Sequence, residues 1–106
     1  MTKDEKAQLH RLFAGYFHQD WLSEHSTPGE VLDEFLSVGW SAAELDGLSR
    51  AILAYLHENT DDATLDNNLF RELGCYYMPQ TDGISARTWL QHISTTLAEF
   101  AKKSSR

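Results

Sequence analysis

The sequence predicts an all-α fold: a compact bundle of about five helices, with a Tyr/Pro/Gly-containing connection before the last one. Three observations lead there. Apolar residues recur at three- and four-residue spacing in five separate stretches. Each stretch is bounded by residues that cap or break helices. The one site where a strand pair could turn, Asp82-Gly83, has flanks too short to alternate. The 106 residues, 42% of them hydrophobic, suit one small core and hence a single domain over residues 1–106.

The first helix is expected from about Lys3 to Phe17, where Leu9, Leu12, Phe13, Tyr16 and Phe17 form one apolar stripe. "STPGE" opens the second. Ser26 or Thr27 can accept from a free backbone N–H, and Pro28 suits the first helical position. Val31, Leu32, Phe35 and Val38 are expected to face inward, with Glu30, Asp33 and Glu34 outward and Gly39 ending the helix.

"SAAE", Ser41 to Glu44, is a capping box that starts the third helix. Leu45, Leu48, Ile52, Tyr55 and Leu56 make its stripe. "ENTDD" breaks it, and Thr60 or Asp61 caps a thin fourth helix carried by Leu65, Leu69 and Leu73 and stopped by Gly74. In "GCYYMPQTDG", Pro79 and Asp82-Gly83 mark turns, and Tyr76 and Tyr77 are expected to pack the connection onto the bundle. The last helix starts at Ser85 and buries Trp89, Leu90, Ile93, Leu97 and Phe100.

Charge narrows the function. The net charge is −7, and between residues 12 and 70 a single base, Arg50, stands against eleven acids. Three of the nine bases fall in the last five residues, "KKSSR". An acidic field repels phosphate backbones and attracts basic partners, so direct nucleic-acid binding is not expected. No stretch approaches the roughly 20 apolar residues that span a bilayer. "MTKDEKAQLHR" lacks the apolar core of a secretory signal, and the lone Cys75 cannot form an internal disulfide. A cytoplasmic chain, monomeric when free, is the simplest expectation.

The stretch that most invites chemistry is "YFHQDW", Tyr16 to Trp21. If the first helix continued through it, the advance of about 100° per residue would separate His18 from Asp20. His18 would reach the wet face, and Asp20 would sit among the apolar stripe, where an unpaired carboxylate is costly. Either the helix stops near His18 and Asp20 accepts from the turn, or it meets a buried tyrosine, indole or base. Both roles are structural. Tyr16, Phe17, Asp20, Trp21 and Trp89 form the expected structural set.

No other chemistry is expected. The five histidines, His10, His18, His25, His57 and His92, contain no i, i+4 pair, and there is no HExxH, so no metal site is expected. Cys75 reads as a small buried hydrophobe. No catalytic residue and no cofactor are expected. Trp40, just past a helix end, suits either the core or an interface.

These pieces, in this order, resemble the immunity proteins of bacterial contact-dependent growth inhibition (CDI) systems. "LFAGYFHQDW" is similar to that family's aromatic-rich first helix running into an aspartate-aromatic pair. "STPGEVLDEFL" is similar to the helix after it, and "LGCYYMPQTDGISARTWLQHI" to the closing tyrosine-proline-glycine turn and tryptophan-leucine helix. The pieces cover about half the chain; residues 39–68 match only in helical pattern. The resemblance implies a non-enzymatic cytosolic antitoxin that binds the C-terminal toxin domain delivered by sibling cells, often a nuclease and hence basic. It does not assign contact residues. The acids of the second and third helices, Glu30, Asp33, Glu34, Glu44 and Asp46, are the expected toxin-binding set. The competing readings are an acidic adaptor or regulatory module of another cytosolic protein, and a small hydrolase using His18 with acids assembled in space.

Overall fold

The computed structural model describes residues 2–104, with side chains to residue 103. Arg106, one of the C-terminal bases, lies outside the described residues. Six α-helices follow in order: α1 (Lys3–Tyr16), α2 (Trp21–Glu24), α3 (Pro28–Leu36), α4 (Ala42–Glu58), α5 (Asp62–Arg71) and α6 (Ala86–Ser104). A 3-10 turn, Pro79–Asp82, precedes α6. The described residues contain no strand.

The starts of the long helices follow local chemistry. Thr2 and Glu5 form a capping box at α1, and Ser41 and Glu44 form another at α4. Thr27, not Ser26, caps α3 ahead of Pro28, and Asp61, not Thr60, caps α5. Ser85 accepts from the Thr88 N–H at the head of α6 (3.0 Å).

α4 and α6 make the most extensive helix contact; α1 packs on α4, α3 on α1 and α5 on α6. At the α4/α6 crossing, buried Ser49 and Ser94 exchange hydrogen bonds. Each hydroxyl lies within reach of the other residue's carbonyl (2.9 and 3.0 Å), and the two hydroxyls meet at 2.8 Å. Small residues let the helices close in, and the exchange satisfies both hydroxyls inside the core. Arg87 clamps the α4 C-terminus from α6. Its guanidinium donates to the carbonyls of Leu56 (3.3 Å) and Asn59 (2.5 Å) and pairs with Asp62 (2.9 Å). It thereby occupies carbonyls that α4 leaves without helical partners.

One helix end is set from far along the chain, and two expectations, Val38 and Phe100, fail for geometric reasons. α1 ends at Tyr16, and Phe17 leaves helical geometry with φ −100° and ψ 44°. The carbonyl of Phe17 accepts from the N–H of Tyr76 (2.8 Å), so a distant loop takes the place of the next helical turn. Val38 is exposed, not inward: α3 stops at Leu36, so the helical register no longer applies two residues on. Phe100 is exposed as well. The buried line of α6 runs from Leu97 to Ala101, four residues on, and leaves Phe100 on the flank.

Gly74 ends α5 with φ +68°, a left-handed conformation that side chains disfavour. A Cβ at this position would stand 2.8 Å from the Ala14 Cβ of α1. The glycine therefore serves both the turn and the close approach of the loop to α1.

Candidate functional site

The segment Tyr16–Trp21 disperses its residues. Phe17, fully buried, packs against the rings of Phe13, Trp21, Tyr77 and Trp89, with Trp89 edge-on at 5.1 Å. Trp21 and Tyr77 also meet edge-on, at 5.6 Å. Such offset and T-shaped pairs add to the gain from burial. Tyr16 turns the other way and meets Phe35 of α3 edge-on at 5.1 Å, and Phe35 in turn stacks on Trp40 at 4.7 Å.

Asp20 corrects the sequence reading. The break after Tyr16 rotates it out of the apolar stripe, so it is exposed and needs no buried donor. It stands at the head of α2, and its carboxylate makes no capping hydrogen bond. The imidazole of His18 takes up the turn instead. Nδ1 accepts from the Asp20 N–H (3.1 Å), which places the proton on Nε2, facing the Glu24 carboxylate at 3.4 Å. A histidine engaged at both nitrogens by its own turn is a local staple. Trp89 and Trp21 are buried in the ring cluster.

The five acids occupy the outer surfaces of α3 and the first turns of α4. Glu30, Asp33, Glu34 and Glu44 are exposed, and Asp46 is half-buried. They are not equally available. Glu30 accepts from the Ser26 N–H (2.7 Å), and Glu44 from the Ser41 N–H (3.2 Å). Glu34 meets Nε2 of His25 at 2.6 Å, tying the α2 turn to α3, and Asp46 pairs with Arg50 at 3.1 Å. Asp33 makes no ion pair or side-chain hydrogen bond among the described residues.

Two depressions lie beside these elements. The first, about 310 Å³ and half open, is largely apolar. Leu12, Phe35, Trp40, Ala43, Gly47 and Leu48 line it, with Gln8, Arg11 and Glu44 at its edge. Trp40 does two jobs here. Its indole N–H donates to the Phe35 carbonyl (2.8 Å), closing the end of α3, while its ring forms a wall of the groove. The second depression is polar, lined by Lys6, Tyr55, Glu58, Asn59, Asn68 and Glu72.

In the polar depression, Tyr55 donates to Glu72 (2.9 Å), and Lys6 pairs with the same carboxylate (3.1 Å). The Tyr55 hydrogen bond, then the Lys6 bond, hold the Glu72 carboxyl below its ordinary range. Burial, with Glu72 alongside, pushes the Tyr55 phenol up, so it stays a donor. The group ties α1, α4 and α5 together. Burial also pushes the Cys75 thiol up to about 12, so it is not a thiolate nucleophile. Among the described residues, no three His, Cys, Asp or Glu side chains converge as metal ligands would. No described helix is long and apolar enough to cross a membrane.

The sequence reading missed the apolar groove. Its signal was Gly47, a glycine inside a long helix that no turn explains.

The described residues form an all-α bundle whose α3 and α4 carry an acidic outer face. The comparisons give its family. The CdiI immunity protein family matches residues 5–97, and the chain belongs to that family. Among solved structures, the chain is similar to a chain of a CdiA-CT/CdiI complex from Y. kristensenii. The TM-score is 0.78 and the identity 24%, over 89% of this chain and 94% of that one. A comparison with curated proteins found no match.

Proposed function

We propose that this chain is a non-enzymatic antitoxin that binds the C-terminal domain of a CdiA toxin in the cytoplasm and blocks its active site or substrate groove. Membership of the CdiI immunity family over residues 5–97 carries the reading. The related fold from Y. kristensenii comes from a complex of CdiA-CT with CdiI, and we extend that partnership to this chain.

The acids of α3 and α4 supply the approach. A nuclease presents basic groups toward phosphate, and an acidic inhibitor meets the same field, which speeds encounter and favours the right orientation. A basic nuclease toxin is the partner this surface suits. Asp33 and Glu34 lead the contact set. Among the described residues Asp33 has no side-chain partner, and Glu34 pairs with His25. Glu30, Glu44 and Asp46 contribute field from positions already engaged within the chain.

The test is co-expression with the toxin domain encoded immediately upstream of this gene. Cells should survive, and the two proteins should copurify at an equimolar ratio. Death of the cells without copurification defeats the reading.

A further inference from the structure

The groove between α1, α4 and Trp40 has a property that packing does not require. Gly47 lies well inside α4 and lines the groove. Its φ is not positive, and a Cβ built on it would meet nothing within 4 Å. Neither backbone strain nor close approach calls for glycine there, and glycine weakens a helix interior relative to alanine. Gly74 makes the contrast, since there both reasons apply. What the missing side chain at position 47 does is keep the groove floor open.

From this geometry we infer that the groove seats one large aliphatic or aromatic side chain of the toxin domain, anchored between Trp40, Leu12 and Leu48. The inference rests on the immunity reading above and adds the anchor to it. Interfaces concentrate their energy where an apolar anchor fills a dry pocket inside a polar rim. This groove has those parts: an apolar lining of about 310 Å³, and Gln8, Arg11 and Glu44 around it. Its volume lies at the low end of the roughly 300–1,000 Å³ typical of small-molecule pockets, which suits a side chain better than a large ligand.

Charge selects the occupant. The groove is built from Phe35 of α3 and Glu44 of α4, the two helices that carry the five acids. A protein segment whose anchor is flanked by basic residues meets those acids on one side. Arg11 stands on the α1 rim, so the basic flank must approach from the α3–α4 side.

The experiment fills the groove in steps: Gly47→Ala, Gly47→Leu and Gly47→Phe, with Ala43→Phe as a second block from an exposed rim position. Binding to the catalytically inactivated upstream CdiA C-terminal domain is measured by calorimetry, with thermal melting as the check on folding. Gly47→Ala is expected to fold at least as well as the wild type. Kd should rise with side-chain size, by 100-fold or more for Gly47→Phe. If the wild type binds and Gly47→Phe binds equally well, the groove is not the anchor site, while the immunity reading stands. If the wild type does not bind, that reading itself fails. Sedimentation of the chain alone separates the remaining occupant: a wild-type dimer dissolved by Gly47→Phe would assign the groove to a second copy and overturn the proposal.

Discussion

Two aromatic regions flank α1, and they are finished differently. On one side, Phe13, Phe17, Trp21, Tyr77 and Trp89 interlock into a closed cluster, each ring at most 6% exposed. On the other, Tyr16, Phe35 and Trp40 make a shorter chain of rings that stops at an open groove floored by Gly47. The closed side draws its residues from α1, α2, the loop before α6 and α6 itself. The open side lies among acids. The difference teaches that equal aromatic content can serve two ends. One set uses its faces on itself and holds the fold, and the other leaves a face for something else.

The largest effect should come from breaking the closed side. Phe17→Ala removes a fully buried ring from contact with its aromatic neighbours. A loss of about 3–5 kcal/mol is expected, a large share of the roughly 5–15 kcal/mol by which domains of this size are stable. Urea unfolding checks it; a midpoint near that of the wild type would mean that the cluster is looser than its geometry.

A smaller loss, about 1–3 kcal/mol, is expected for Gly74→Ala from forcing a side chain into left-handed geometry. The clash with Ala14 adds to it. Ala14→Gly in the same chain should relieve the steric part and leave the conformational part. Equal stability of the single and double variants would remove the clash from the account.

On the open side the expectation reverses. Replacing Asp33 and Glu34 together by lysine should leave stability within about 0.5 kcal/mol for each site, as for most surface changes. The association rate with the toxin domain should fall about tenfold at low salt and lose most of its salt dependence. Stopped-flow mixing at two ionic strengths reads both. Unchanged kinetics would take the outer face of α3 out of the contact surface.

What could be read in advance was whatever is written locally. The capping box at Ser41 and the leucine lines of α4 and α5 depend on neighbours within a turn or two, so residue order is enough; it narrowed two other caps to Ser26 or Thr27 and Thr60 or Asp61, and the structure selects Thr27 and Asp61. The end of α1 was expected at about Phe17, next to where it falls, but what ends it was not legible. Gly15 lies inside the last turn and no proline follows, and the group that takes the place of the next turn is the distant Tyr76 N–H. The inward aim expected of Asp20 failed with the helix that was to carry it. Val38 and Phe100 were misplaced because helical periodicity says nothing beyond a helix end and little about its flanks. The acids could be recognised as surface residues from their spacing. Their internal bonds, and the groove beside them, depend on how α1, α3 and α4 meet.

The hydrogen bond from Tyr76 to the carbonyl of Phe17 also makes the end of α1 depend on a late part of the chain. The end of α1 is completed by a residue translated four helices later, and its aromatic cluster closes only with Trp89. A nascent chain that has released α1 to α5 from the ribosome still lacks the parts that finish its first element. A chain truncated before Trp89 is therefore expected to leave the end of α1 and its ring cluster incomplete.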